Sequence, residues 1–315
     1  MNERILITGG LGYLGGRVAQ YLAQNTSYYF GLGVRNSDVE PPKWLSNGEL
    51  IKLDVMNDEL LSRACKNVSV IIHFAAVNEI DSLDNPELAL QINTLGTLKL
   101  LTCAVRAGVK RIIYFSTAHV YGNLTGVINE ETVPRPTHPY AITHHAAEDF
   151  ILAAHDSRNI TGIVFRLSNG LGVPERSEVN RWTLIVNDLC KQAVTTGKFI
   201  LRSSGLQRRD FVTIYDIGRA VEHIISLPED KCGDGLLNLG GEAPLRIIDL
   251  VEIISSRCES VLGFRPKIIK PEHNGDESPL LEYQIKKLKK TGFCLSGSIE
   301  DEIDNTLILC RNVFS

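Results

Sequence analysis

Over the first half of the chain, short and nearly uninterrupted apolar runs alternate with longer stretches in which apolar residues recur every three or four positions. The runs Arg4–Thr8, Tyr28–Val34, Glu49–Leu53, Val70–Phe74, Arg111–Ser116 and Thr161–Arg166 are rich in Ile, Val, Leu and Phe. Their lack of polar alternation predicts strands of a parallel sheet covered on both faces. The stretches near 14–24, 58–65, 86–107 and 140–156 carry the helical period, so the rhythm is that of βαβ units. Asp84-Asn85-Pro86-Glu87 has the layout of a helix start with proline in the first turn. Gly108, just past a long periodic stretch, suits a C-terminal cap.

After residue 167 the rhythm breaks. A loop-rich segment, Ser168–Asn180, leads to a helix near 181–196, a strand-like Phe199–Arg202, the polar stretch Ser203–Arg209 and a helix beginning near Tyr215. Further helices are predicted at 246–262, 283–291 and 298–312. The expected architecture is α/β. A doubly wound parallel sheet spans 1–167, with part of 205–240 returning to it. A second, smaller C-terminal lobe is made of 168–204 and 241–315.

Composition narrows the class. The chain has 315 residues, 33 Lys plus Arg against 37 Asp plus Glu, and a net charge of −4. That length suits one large domain or two joined ones. With 43% hydrophobic and 22% charged residues it is neither disordered nor fibrous in composition. The near-neutral balance carries no footprint of non-specific nucleic-acid binding. No uninterrupted apolar run approaches the roughly 20 residues of a membrane span, and no signal-peptide layout opens the chain. The seven cysteines are scattered, odd in number and without a CxxC pair, which points to reduced thiols, a cytoplasmic location and no metal site.

The first strand runs into Thr8-Gly9-Gly10-Leu11-Gly12-Tyr13-Leu14-Gly15-Gly16 and then a helix. Glycines 9, 12 and 15 at a strand-to-helix turn are what a pyrophosphate needs: close backbone approach, amide donors and the positive end of a helix. The second strand ends Gly33-Val34-Arg35-Asn36-Ser37, with no acid until Asp38. An acid at such an end contacts the ribose of NAD, whereas arginine accommodates the phosphate of NADP; Arg35 leans the expectation to NADP, and a surface arginine is its plain alternative. Asp54 is placed either to accept from the adenine amine or to cap the next helix.

Further motifs follow in order: Leu53-Asp54-Val55, His73-Phe74-Ala75-Ala76, Asn93 in INTLGT, Phe115-Ser116-Thr117-Ala118-His119-Val120-Tyr121-Gly122, Pro139-Tyr140, Arg166-Leu167-Ser168-Asn169, Arg209-Asp210-Phe211-Val212 and Asn238-Leu239-Gly240. With these the chain resembles, over nearly its whole length, the extended short-chain dehydrogenase/reductase family. The likeness is strongest to its NAD(P)-dependent nucleotide-sugar epimerases and dehydratases. The resemblance implies a Rossmann-type cofactor lobe and a substrate lobe with the active site between them. It implies that Gly9, Gly12, Tyr13, Leu14, Gly15, Arg35, Asp54, Val55, Phe74, Ala75, Ala76 and Asn93 line the cofactor. Tyr140 falls on the acid/base tyrosine and Thr117 on the residue that bonds the reacting hydroxyl. Asn169 and Arg209 fall on contacts to the substrate diphosphate. A homodimer through the helices at 86–107 and 140–156 is implied as well.

The sequence departs from that family at three places. The lysine expected four residues after the tyrosine, which lowers its pKa and grips the cofactor ribose, is His144. Histidine at a reference pKa of ~6.5 would be mostly neutral. It could serve as a weaker electrostatic partner, act as a proton relay, or mark a chain that keeps the fold without turnover. The acidic pair that dehydratases carry after the threonine is Ala118-His119, which disfavours 4,6-dehydration; His119 could face substrate or be a loop histidine. The late arginine that reaches substrate phosphates is replaced within His273-Asn274-Gly275-Asp276. The expected activity is therefore an NAD(P)-dependent nucleotide-sugar epimerase or sugar 4-keto/alcohol oxidoreductase. An impaired cofactor-binding protein and an oxidoreductase of a non-sugar alcohol are the alternatives.

Overall fold

The structure, a computed structural model, describes residues 3–36, 38–271 and 279–315; the histidine stretch at 273–276 lies outside them. Seven parallel strands form one sheet in the order Leu236–Leu239, Thr161–Leu167, Arg111–Thr117, Val70–His73, Arg4–Thr8, Tyr29–Val34, Gly48–Lys52. All six predicted strands are present, with ends shifted by at most one residue. The direction of strand addition reverses at Arg4–Thr8, which pairs with Tyr29–Val34 on one side and Val70–His73 on the other. A doubly wound sheet opens its ligand crevice at such a reversal, beyond the carboxyl ends of the strands.

Neighbouring residues on each strand feed opposite cores, as the two-residue period of a strand requires. Ile5, Ile7, Ile113 and Phe115 join Val18 and Leu22 of helix Tyr13–Asn25 and Ile217, Val221 and Ile224 of helix Ile214–Ser226. Leu6, Ile71, Ile112 and Tyr114 join Leu61, Leu100, Leu101, Ala147 and Ile151 on the other face. A third core gathers Leu171, Leu189, Phe199, Phe211, Leu250, Ile254, Ile303 and Leu307 from the later segments.

Several elements differ from the sequence pattern. The seventh strand, Leu236–Leu239, was predicted only as part of a returning segment; its four residues are too short to announce a strand. The polar Asn238 sits inside it because its side chain accepts from Tyr121 and Tyr283 and donates to the Gln284 carbonyl. Helix Pro86–Arg106 is long and apolar enough by composition to cross a membrane, although Glu87 and Lys99 interrupt its apolar sequence. Its Leu100, Leu101 and Ala104 are buried in the second core. It also contains a π-helical segment, Leu90–Gly96. The helix expected at 283–291 is shortened to Lys286–Lys290, because Leu281–Tyr283 pairs as a strand with Gly126–Ile128. That expected near 181–196 starts at Ile185, which leaves Arg181 on the preceding turn.

Candidate active site

At the reversal of the sheet lies a cavity of about 1660 Å³, larger than the ~300–1,000 Å³ of a drug-sized ligand site. Its floor is the glycine turn. Gly9 has φ +65°, a conformation that favours glycine. A Cβ on Gly15 would stand 2.2 Å from the Gly9 carbonyl oxygen, so the turn is closed to side chains. Gly12 caps helix Tyr13–Asn25 without a side-chain hydrogen bond, and no acid occupies the first turn. The unpaired amides of that helix start are donors for an anion, so the turn fits a dinucleotide pyrophosphate.

All of the residues predicted from the sequence to hold the cofactor or substrate stand on the cavity wall except two, Asn93 and His144. Gly9, Gly12, Tyr13, Leu14, Gly15, Phe74, Ala75 and Ala76 line one part, Arg35, Asp54 and Val55 another, and Thr117, His119, Tyr140, Asn169 and Arg209 the rest. Asp54 does not cap the next helix: Asn57 does, accepting from the Leu60 amide. Asp54 instead accepts from the Met56 amide and lines the cavity. Beside it, Arg35, Lys52 and the ion-paired Arg63 and Glu59 line an adjoining recess of about 530 Å³.

Asn93 is buried behind the wall. Its carboxamide accepts from the Val77 amide at 2.7 Å and donates to Thr143 on the tyrosine helix at 3.1 Å. A chain of hydrogen bonds joins it to the glycine turn. The Thr97 hydroxyl donates to the Asn93 carbonyl at 2.6 Å and lies 2.9 Å from His73 Nε2, while His73 Nδ1 lies 2.6 Å from Thr8 Oγ1, which accepts from the Ala75 amide. One tautomer satisfies every contact: Nε2–H donates to Thr97 and Nδ1 accepts from Thr8. Burial lowers the His73 pKa to about 4, which keeps that neutral form.

Tyr140 opens helix Pro139–Asp156, where His138 Nδ1 accepts from its amide and Pro139 occupies the first turn. Burial, with a smaller contribution from Glu79 and against an opposing one from Arg181, pushes its phenol up to about 12. Thr117 ends strand Arg111–Thr117 and accepts from the His119 amide at 3.2 Å, so its own O–H can donate into the cavity. His119 and Arg209 reach solvent at the wall, and enclosure by the protein lowers both, with Arg209 adding to the effect on His119. Asn169 donates to the Asp210 carbonyl, and Asp210 accepts from the Gly241 amide. This pairing of Asn169–Leu171 with Phe211–Thr213 is what holds Asn169 and Arg209 on the same wall.

His144 is placed differently from the expectation. Its ring touches that of Tyr140, with centroids 4.4 Å apart, yet only 2% of the residue is exposed and it does not line the cavity. Nδ1 lies 2.7 Å from the Tyr114 hydroxyl, and among the described residues the buried Nε2 has no hydrogen-bond partner. Burial, with a smaller contribution from His73, lowers its pKa to about 3. It is a neutral ring behind the wall and brings no cation to the tyrosine. The sequence also gave no hint of an ion pair in the cavity: Arg181 donates to Glu79 at 3.0 Å across 102 residues of sequence. Asn78 capping the helix that starts at Glu79 was a local signal for Glu79 alone.

These features agree with the comparisons to known proteins. The profile of the NAD dependent epimerase/dehydratase family matches residues 5–240. A putative UDP-glucose 4-epimerase of Methanocaldococcus jannaschii is 25% identical over 315 residues, 98% of each chain. The dTDP-D-glucose 4,6-dehydratase of Mus musculus is 26% identical over 261 residues, 79% of this chain and 71% of that one. In fold, the UDP-glucuronic acid 4-epimerase of Bacillus cereus, solved in complex with NAD, superposes with a TM-score of 0.82 at 22% identity. The match covers 98% of this chain and 97% of that one. The chain belongs to the NAD-dependent epimerase/dehydratase family.

Proposed function

We propose that the protein is an NAD(P)-dependent epimerase, or 4-keto/alcohol oxidoreductase, of a nucleotide-diphosphate sugar. The observation that carries this reading is one continuous cavity running from the glycine turn past Thr117 and Tyr140 to Asn169 and Arg209. Gly9, Gly12, Gly15, Ala75 and Ala76 would hold the cofactor phosphates, and Asp54 and Arg35 its adenosine. When bound, the cofactor supplies the hydride acceptor and donor. The protein's own task is the proton. Tyr140 takes it from a sugar hydroxyl and returns it, while Thr117 donates to the same oxygen and orients it. Arg209 and Asn169 hold the diphosphate, fixing the sugar beside Tyr140. Loss of water is disfavoured, since position 118 is a buried alanine and Glu79 is held by Arg181.

Incubation with NAD or NADP and a panel of UDP-, dTDP- and GDP-sugars should yield an epimer or keto product seen by NMR, or cofactor reduction at 340 nm. Neither product nor reduction across the panel would overturn the reading. The neutral His144 favours one second reading, a cofactor-binding protein with impaired turnover, for which wild type and Tyr140→Phe would share the same background rate.

Arg35 and Lys52, on a recess where Arg63 is paired with Glu59, support NADP as the preferred cofactor. Arg35→Ala should weaken NADP binding while sparing NAD in calorimetry. Equal losses for both would count against the preference. Helices Pro86–Arg106 and Pro139–Asp156 expose Leu90, Leu95, Ile142 and Phe150, which supports a homodimer through these helices. Light scattering should give twice the chain mass for wild type and the chain mass for a Leu95→Glu, Ile142→Glu double variant.

A further inference from the structure

Tyr140 needs a cation if it is to act as a base near neutrality, and its own helix supplies none. His144 is neutral and turned to Tyr114, and His138 accepts from the Tyr140 amide through Nδ1. Farther along, Glu148 is taken up by Arg166. The other elements around the cavity bring His119 beyond Thr117, Asp81 and Asp84 beside Glu79, and Arg209 from the substrate side. Of all these charges, the two that act on the Tyr140 phenol are Glu79, the stronger, which disfavours ionisation, and Arg181, the weaker, which favours it.

Both are fixed in place. Glu79 is the first residue of a short helix whose cap, Asn78, accepts from the Ile80 and Asp81 amides. Arg181 sits on a turn whose carbonyl accepts from the buried Asn187 side chain. Their side chains meet at 3.0 Å on the wall that also holds Tyr140, each retaining some solvent contact. A carboxylate and a guanidinium in contact form a dipole, and its effect on a nearby phenolate depends on which end dominates.

We propose that the Glu79–Arg181 pair sets the base strength of Tyr140: Arg181 supplies a positive charge where position 144 brings none, and Glu79, stronger in effect, more than offsets it. The two are positioning residues for the reaction in Proposed function, on which this inference rests. Removing Glu79 leaves an unopposed guanidinium and strengthens the acid form's tendency to ionise; removing Arg181 does the reverse.

The test compares Glu79→Gln, Arg181→Gln and Arg181→Lys. Phenolate absorbance is titrated in each and referenced to the same protein carrying Tyr140→Phe. Relative to wild type, Glu79→Gln should ionise Tyr140 at a pH lower by at least about half a unit, roughly threefold more phenolate at a given pH. Arg181→Gln should move ionisation higher, out of the range titrated, and Arg181→Lys should stay close to wild type. The acid limb of the kcat/KM profile should shift in the same opposite directions. A pair that only ties two segments together would weaken KM in both variants without separating their titrations, and that result overturns the proposal. Absence of turnover in wild type would overturn the proposed function, while the titration still decides the role of the pair.

Discussion

The two walls of the cavity are built of different material. The cofactor wall is mostly backbone: a glycine turn, an uncapped helix start and the small side chains of Ala75 and Ala76. The facing wall is mostly long polar side chains, Glu79, Arg181, His119 and Arg209, brought from four separate segments. A backbone cradle needs only a local run of glycines, whereas a side-chain wall works only while distant segments are held at a fixed spacing. The first is therefore robust to divergence outside its own turn. The second depends on contacts such as the Asp210 bond to Gly241 and the Asn187 bond to Arg181.

Tyr140 lines the same cavity, and the largest expected effect is there. Tyr140→Phe should lower turnover by about 10²–10⁴-fold, the usual contribution of a positioned acid or base, with the dinucleotide affinity kept. Assays of product formation and calorimetry on the same sample check both halves.

The helix that carries Tyr140 is fastened to strand Thr161–Leu167 by Glu148 and Arg166, which form a buried two-pronged ion pair with shortest contact 2.7 Å and are almost fully enclosed. Glu148→Ala strands the guanidinium and should cost about 3–5 kcal/mol of stability, measured by urea unfolding. A loss under 1 kcal/mol would mean that water relieves the charge.

Behind the cofactor wall, His73 and His144 are held neutral with pKa values lowered to about 4 and about 3. In the unfolded chain both bind protons near pH 6.5, so the unfolded state takes up more protons as the pH falls below that value. Stability is thus fully present above about pH 6.5 and is lost on acidification toward pH 4, by about 1.4 kcal/mol per pH unit for each histidine. The urea midpoint should follow this slope, and His144→Leu should remove about half of it. An unchanged slope in the variant would show that His144 does not titrate on unfolding in this range.

The smallest effect is expected in the cradle. Gly15→Ala must displace the Gly9 carbonyl, at a cost of about 1–3 kcal/mol, read as roughly five- to 150-fold weaker dinucleotide binding. Substrate-wall affinities should change much less. If nucleotide-sugar binding in the absence of cofactor fell as far, the two walls would be one coupled unit.

Legibility followed the same divide. The six predicted strands, the glycine turn, and the place of Thr117 and Tyr140 on the cavity could be read because each rests on a local period or a contiguous motif. The seventh strand could not: Leu236–Leu239 is four residues long and tolerates Asn238 only through its bonds to Tyr121, Tyr283 and Gln284. The π-helical segment at Leu90–Gly96 has no local signature either. It accompanies the close approach of Gly96 to Val55 and the bonds from Asn93 to Val77 and Thr143.

His144 marks the boundary most clearly. The sequence by itself determined that a histidine follows Tyr140 by one helical turn, so that the two rings meet, and that no lysine stands there. It determined the alternation of buried strands and amphipathic helices, and with it the doubly wound sheet and the place of its crevice. Only the tertiary structure decided that His144 is enclosed beside Tyr114 as a neutral ring, because burial outweighs its intrinsic affinity for a proton. Only the tertiary structure set Arg181 and Glu79 together beside the tyrosine, since a contact across 102 residues is fixed by packing and by no local rule of sequence.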